Sequence, residues 1–278
     1  MSVTIEPGLQ MELNKIYCGD NLILIKQLDD NCIDLTVTSP PYDNLRTYNG
    51  FTWDFEGLAK ELFRVTKVGG VVVWVVGDAT INGSETGTSF RQALYFMECG
   101  FRLHDTMIYQ KLGFPFPSSN RYHQTIEYMF IFVKGVLKTF NPIKDISIKW
   151  KGQSVHGARR KPDGSFEKVR SGKVSSNDYG QRTNVWTYAI GKGVNSTDDL
   201  YTKHPAPFPE KLAEDHIISW SNPGDIVLDP FMGSGTTAKM ALKNERQFIG
   251  FEISQEYVDI CNMRIKQWKE QDRLTEWF

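Results

Sequence analysis

Through its first half the chain alternates short apolar runs with stretches whose apolar residues recur at helical spacing. Lys15 to Cys18 reads as a brief strand ending at Gly19-Asp20, and Asn21 to Gln27 follows with helical periodicity. Asp34 to Thr38 is a compact β-branched run closed by Ser39-Pro40-Pro41-Tyr42, where two prolines forbid both strand pairing and helix. Phe55 to Thr66 is again helical, and Gly69-Gly70 is expected to stop that helix. Val71 to Val76 is an uninterrupted apolar run, as in a strand covered on both faces. A helix over Ser89 to Cys99, a strand over Leu103 to Gln110 and a strongly apolar strand over Ile126 to Val133 complete this half. The alternation predicts an α/β protein.

Near Gly135 the texture changes, and from Ser147 to Thr197 long apolar runs are few while glycine, serine and cations are frequent. We expect an insert over 139–197 that interrupts the sheet. Regular alternation resumes with a helix over Pro209 to Ser219, a strand over Ile226 to Leu228 and the loop Asp229 to Thr236. A helix over Thr237 to Asn244, a strand over Phe248 to Phe251 and a last helix from Gln255 close the pattern, with no internal repeat. The prediction is a single domain over 1–278, a mostly parallel sheet with helices on both faces. The insert forms a small subdomain above the strand ends, where the active site of such a sheet lies.

Composition narrows the function. Hydrophobic residues make up 40% of the chain and aromatics 13%, enough for one substantial core. Lys plus Arg number 32 against 33 for Asp plus Glu, so any surface for a polyanion must be local. Such a surface is offered by 149–173, where Lys149, Lys151, Arg159, Arg160, Lys161, Lys168, Arg170 and Lys173 face only Asp163 and Glu167. Arg159 and Arg160 are the leading candidates for phosphate or guanine contacts, supported by Lys161, Lys168 and Arg170, with Gln153, His156 and Asn177 available for base edges. A solvated loop is the plainer reading. The aromatic loop Phe114 to His123 either lines a base pocket or forms ordinary core edges. Cys18, Cys32, Cys99 and Cys261 lack the close pairing of zinc or redox motifs and read as reduced structural residues; no metal site is implied. Met1 to Gln10 lacks a basic segment followed by an apolar run, and no stretch is long and apolar enough to cross a bilayer, so a cytoplasmic protein, nucleoid-associated when on DNA, is expected.

Two constellations carry chemistry. Asp229-Pro230-Phe231-Met232-Gly233-Ser234-Gly235-Thr236-Thr237 follows a strand and opens a helix, placing small residues where backbone must approach a ligand closely. Asp229 can accept from an ammonium near the methionine end of a cofactor, and Glu252, at the end of the next strand, can hold ribose hydroxyls. The loop lacks the three-glycine spacing that brings a pyrophosphate onto a helix N-terminus, so a cofactor without pyrophosphate fits better. In Ser39-Pro40-Pro41-Tyr42, the Ser39 hydroxyl and the Pro40 carbonyl can accept hydrogen bonds from both hydrogens of an exocyclic amine. Such bonds help localise the lone pair that an aromatic ring otherwise delocalises. Tyr42 offers a face on which an extruded base can stack.

With these blocks in this order, the chain resembles the amino-methyltransferases of DNA, in the circularly permuted class whose catalytic tetrapeptide precedes the cofactor loop. The resemblance runs from Gly19-Asp20 through Asp34 to Tyr42, Val68 to Asp78 and Glu127 to Lys134, and then His204 to Glu252. It implies a Rossmann-like fold binding S-adenosyl-L-methionine, with the insert as target-recognition region. It implies a cofactor site built from Asp20, Thr38, Ser39, His204, Pro205, Phe208, Lys211, Asp229, Pro230, Phe231, Gly233, Ser234, Gly235, Thr236 and Glu252, and catalysis at Ser39, Pro40, Pro41 and Tyr42. Serine in the first position of the tetrapeptide implies N4 of cytosine in double-stranded DNA as the target. N6 of adenine is the first alternative; RNA or a protein amide as substrate and a non-catalytic DNA-binding relative are the others. A catalytic cysteine is not required, because attack comes from nitrogen rather than ring carbon. The resemblance leaves room for a cognate restriction endonuclease and for a homodimer.

Overall fold

In the computed structural model of this chain, the described residues are 11–41, 43, 53–113, 120–155, 158–168, 172–173, 177–190, 198, 200 and 209–275. The chain divides into two compact units, one formed by Met1–Asn141 with Asn184–Phe278 and the other by Pro142–Thr183.

The larger unit is built on an eight-stranded sheet. In chain order its elements are β1 (Lys15–Cys18), α1 (Asn21–Ile25), β2 (Ile33–Thr38), α2 (Phe55–Val65) and β3 (Thr66–Val76). There follow the small hairpin β4 (Thr80–Ile81) and β5 (Ser84–Glu85), then α3 (Thr88–Glu98), β6 (Arg102–Leu112) and β7 (Ile126–Val133). The strand order is β1, a late strand β16 (Gln247–Glu252), β15 (Ile226–Asp229), β2, β3, β7, β6 and β14 (Val185–Ala189). Only β7 runs against its neighbours in this sheet; every other pairing is parallel. The chain leaves β2 through α2 toward β3 on one side, and leaves β15 through α5 (Thr236–Lys243) toward β16 on the other. The carboxyl ends of β2 and β15 therefore flank the switch point, where such sheets open a crevice. The fold is the predicted α/β type with a mostly parallel sheet.

The central strands explain its stability. Val71 to Val76 are all essentially inaccessible, as the continuous apolar run requires of a strand covered on both faces. On one face Trp74 and Phe132 pack with Leu58 and Leu62 of α2 and with Phe96 of α3. Trp74 Nε1 donates to Gln92 Oε1 at 2.9 Å, so the one polar atom of that ring is satisfied in the core.

Two boundaries differ from expectation. Gly69-Gly70 does not stop the helix: α2 ends at Val65, and β3 already begins at Thr66. Gly69 sits at φ 89°, and its N–H donates to the Lys134 carbonyl at 2.6 Å, so the pair forms an irregularity within the strand. The insert is also shorter than 139–197. Val185–Ala189 is the edge strand beside β6, with Trp186 and Tyr188 buried and their neighbours outward. Val-Trp-Thr-Tyr alternates with period two, and burial of two aromatics outweighs the polar flanks that masked it.

The smaller unit consists of antiparallel pairs that nest. Strand β8 (Lys144–Ser147) pairs with β13 (Tyr179–Gln181), β9 (Ser154–Val155) with β12 (Gly172–Lys173), and β10 (Ala158–Arg160) with β11 (Phe166–Lys168). All six belong to one interrupted ribbon folded about the turn at Lys161-Pro162-Asp163-Gly164-Ser165. Lys161 N donates to the Ser165 carbonyl at 2.8 Å, and Gly164, at φ 86°, takes the left-handed position that glycine fills without strain.

Candidate active site

Helix α4 (Glu210–Trp220) and helix α6 (Gln255–Thr275) complete the larger unit. The site assembles at the carboxyl ends of β1, β16, β15 and β2, which lie side by side. Thr38, the last residue of β2, donates from Oγ1 to Asp229 Oδ1 at 2.7 Å, and Asp229 is the last residue of β15. The Asp229 carboxylate also accepts from Phe231 N at 3.0 Å and from the Thr237 hydroxyl. It is 5% exposed, and burial pushes its pKa up against the pull of those three donors. The residue that precedes the tetrapeptide and the glycine loop that opens α5 thus share one buried carboxylate. Ser39 and Pro41 are half-buried and Pro40 is buried; Tyr42 lies outside the described residues.

Glu252 closes the other side. Its Oε2 accepts from Gly233 N at 2.8 Å and its Oε1 from Ser254 N at 3.0 Å, so both oxygens are oriented by backbone. Burial raises its pKa, and the negative charge of Asp229 adds to the effect. Next to it, Gly19 N donates to the Glu252 carbonyl at 2.9 Å, which brings Asp20 to the same strand ends. Asp20 Oδ1 caps α1 by accepting from Leu22 N and Ile23 N at 2.9 and 3.0 Å. The Pro230 carbonyl is held by Asn21 Nδ2 at 3.3 Å. Phe231 meets Trp53 edge to face at 4.8 Å.

The loop's backbone is committed internally. Phe231 N goes to Asp229, Met232 N to the Phe251 carbonyl, Gly233 N to Glu252 and Gly235 N to the Met232 carbonyl. These four N–H groups cannot cradle a diphosphate, which agrees with the missing three-glycine spacing. What the site presents instead is acceptors. A buried and a half-buried carboxylate whose charged forms are disfavoured, Asp229 and Glu252, gain most from an entering cation, and S-adenosyl-L-methionine carries a sulfonium and an ammonium. The residues fit that cofactor.

Other residues of the expected cofactor site have partners within the protein. The close approach at Gly235 is to protein: a Cβ there would stand 2.0 Å from Cys261 Sγ of α6, and φ is 83°. Ser234 and Thr236 are buried, and their side chains bond Arg264 of α6 at 3.1 and 3.4 Å. These three residues shape the loop from behind. Lys211 pairs with Glu214 at 3.1 Å and Asp215 at 2.7 Å on its own helix. His204, Pro205 and Phe208 lie outside the described residues.

Behind the loop lies a group that the sequence pattern did not single out. Arg264, 1% exposed, donates to Asp198 at 3.0 Å and Glu210 at 2.7 Å, and its Nη1 reaches the Ser234 carbonyl at 2.5 Å. Lys239 bonds the same two carboxylates at 2.9 and 2.8 Å. Burial works to raise the Asp198 pKa, but Arg264 and Lys239 outweigh it and hold the group at about 2. A lysine beside Ala238 and an arginine beside Ile265, in otherwise apolar helix faces, were the available signal.

In the ribbon, Arg159, Arg160, Lys161 and Lys168 are all exposed. Arg159 lies opposite Glu167, whereas Arg160 opposes Phe166 and Lys168 opposes Ala158. Because facing residues share a side, Arg160 and Lys168 stand together on one face and Arg159 on the other, beside an acid. Lys151 is ion-paired with Asp178. Arg170 and His156 lie outside the described residues, as do Phe114 and Phe116; Tyr122 is 98% exposed and is not a core edge.

The sequence profile described as DNA methylase matches residues 33–263. Orphan methyltransferase M.BamHII of Bacillus amyloliquefaciens is 59% identical over 246 residues, covering 87% of this chain and 92% of that protein. Type II methyltransferase M.BglII of Bacillus subtilis is 29% identical over 270 residues, covering 91% and 69%. Among solved structures, PvuII DNA methyltransferase (cytosine-N4-specific) superposes with a TM-score of 0.66 at 23% identity, covering 90% of this chain and 85% of that one. The M1.HpyAVI–SAM complex gives 0.57 at 23%, covering 90% and 97%. The structural likenesses concern the fold, but the profile match spans most of the chain and the M.BamHII identity extends over nearly all of both proteins: the chain belongs to the DNA methylase family.

Proposed function

We infer that this DNA methyltransferase moves a methyl group from S-adenosyl-L-methionine onto N4 of a cytosine flipped out of double-stranded DNA. The observation that supports the reading is the Thr38 to Asp229 hydrogen bond, which joins the residue before Ser39 to the start of the glycine loop at the switch point. When bound, S-adenosyl-L-methionine supplies an electrophilic methyl on a cationic sulfur. Asp229 and Glu252 favour that charge, while Asp20 and Glu252 offer acceptors to the adenosine end. Ser39 Oγ and the Pro40 carbonyl accept from the two amino hydrogens of the base, and Tyr42 stacks on its ring. Serine here is a neutral acceptor, which suits direct transfer, where alignment matters more than a strong base. The proton released from nitrogen passes to solvent or to a nearby acceptor.

The ribbon Pro142–Thr183 reads the target. A two-stranded antiparallel arm of this kind suits a DNA groove, and its tip carries Arg159, Arg160, Lys161 and Lys168. M.BamHII is called an orphan methyltransferase, which favours a modification enzyme acting without a paired nuclease.

The test is methylation of unmethylated genomic DNA followed by nucleoside digestion and mass spectrometry. N4-methylcytosine is the expected product; N6-methyladenine would overturn the use of Ser39 as a base discriminator while keeping the cofactor reading. Ser39→Ala should lower transfer with cofactor binding retained, whereas Asp229→Ala should weaken cofactor binding itself.

A further inference from the structure

Immediately after the tetrapeptide the backbone turns through Asp43, which sits at φ 52°, in the left-handed region that costs an L-residue about 1–2 kcal/mol. Asp and Asn tolerate that region best among residues with a side chain, and strain of this kind persists only where the surroundings hold it. Here they do. Asp43 Oδ2 accepts from Ala79 N at 3.0 Å and from the Thr86 hydroxyl, and the carboxylate takes a further hydrogen bond from Thr88. The Thr86 hydroxyl also lies 3.2 Å from Asp78 Oδ1. Asp78, just beyond the end of β3, in turn accepts from Ser89 N at 2.9 Å and from the Ser89 hydroxyl at the start of α3. Arg91 Nη2 ties down the Thr86 carbonyl at 2.7 Å. Burial works to raise the Asp43 pKa, but the Thr86, Ala79 and Thr88 hydrogen bonds and the Arg91 charge outweigh it, so the group stays ionised.

We propose that Asp43 is a positioning residue for methyl transfer, clamping the carboxyl end of the Ser39–Tyr42 pocket to the β3–α3 connection through Ala79 and Thr86. The clamp rests on the reading of Ser39–Tyr42 as the base pocket. Two prolines stiffen the tetrapeptide internally, and Thr38 fixes its entry to Asp229. Alignment of a base in the pocket calls for a second anchor at the other end of the tetrapeptide. Asp43 supplies that anchor one residue beyond the stacking ring. It acts through the backbone of the pocket, setting where the base nitrogen stands relative to the methyl group. Displacement of a reacting atom by about 1 Å costs on the order of 100-fold in rate.

The experiment compares Asp43→Ala, Asp43→Gly, Asp43→Asn and Thr86→Val, with Tyr42→Ala as a control on the pocket. Single-turnover methyl transfer, S-adenosyl-L-methionine affinity by calorimetry and thermal midpoint are read for each. Gly permits φ 52° without a carboxylate, so it separates the clamp from mere relief of backbone strain. The expected result is a loss of about 10- to 100-fold in the single-turnover rate for Asp43→Ala, Asp43→Gly and Thr86→Val. Cofactor affinity stays within about twofold, and Asp43→Asn, which keeps a carbonyl acceptor for Ala79 N and the Thr86 hydroxyl, recovers most of the rate. The double variant of Asp43→Gly with Thr86→Val should lose no more than either alone. If Asp43→Gly turns over at the wild-type rate while Tyr42→Ala is impaired, the clamp is wrong and the pocket reading stands. If Tyr42→Ala is also unimpaired, the pocket reading itself fails. Loss of cofactor binding in parallel with rate would mark Asp43 as merely structural.

Discussion

The side chain of Thr38 donates to the carboxylate of Asp229 across 2.7 Å, joining the last residues of two neighbouring parallel strands that the chain reaches 191 residues apart. Asp229 is buried and its charged form is already disfavoured, so the hydroxyl is one of few groups holding a negative charge at that spot.

Removing that donor with Thr38→Val leaves the carboxylate under-satisfied, at a cost of about 1–3 kcal/mol. Thr38→Ser keeps the hydroxyl. We predict that Thr38→Val lowers the thermal midpoint and weakens S-adenosyl-L-methionine binding in calorimetry, and that Thr38→Ser does so much less. Equal behaviour of the two variants would show that the methyl group of Thr38, not its hydroxyl, matters.

A second threonine two residues earlier has the opposite problem. Thr36 is fully buried in β2, and among the described residues its Oγ1 has no hydrogen-bond partner. Thr36→Val replaces the hydroxyl with a methyl of similar size, and relief of an unsatisfied polar atom is worth on the order of 1 kcal/mol. The expected result is a rise of about 2–4 °C in the thermal midpoint. A fall would reveal a partner, such as a buried water, that the hydroxyl serves.

The ion cluster behind the glycine loop gives stability a pH dependence with a definite sign. Asp198 has a folded pKa of about 2 against an ordinary 3.8. Its contribution is therefore complete above about pH 4 and is lost as pH falls through 2, because the unfolded chain takes up the proton first. Asp198→Asn should flatten the fall in stability between those limits, measured as denaturation midpoint against pH, while lowering stability at neutral pH. Parallel profiles for variant and wild type would assign the acid sensitivity elsewhere.

On the ribbon, Arg160 and Lys168 share a face, and Arg159 lies beside Glu167. Arg160→Ala and Lys168→Ala should each weaken DNA binding and reduce the slope of log affinity against log salt by about 1. Arg159→Ala should change it less. Titrations over a range of salt concentrations decide, and a larger loss from Arg159→Ala would put the DNA on the opposite face.

Much of this was legible in the residues. Asp34 to Thr38 and Val71 to Val76 announce themselves because β-branched runs buried on two faces have few other places to go. Asp229 and Glu252 stood out because each carboxylate closes a short apolar strand. Other features depend on partners far along the chain. Nothing near Gly235 says that its missing Cβ makes room for Cys261, and nothing near Lys239 says that Arg264 lies against the same two acids. Trp186 and Tyr188 read as loop because their strand is five residues long and flanked by polar turns. Nothing in the residues around Asp43 marks it, and only its φ and its three donors distinguish it.

The nested pairing of the ribbon bears on how its length could change. Lys144 opposes Gln181 close to the points where the chain leaves and re-enters the larger unit, so the arm is closed at its own base. Residues could be gained or lost in opposed pairs farther out, toward the turn at Pro162, while the entry and exit points stay where they are. Lineages could lengthen, shorten or rewrite the arm and leave the sheet of the larger unit unchanged.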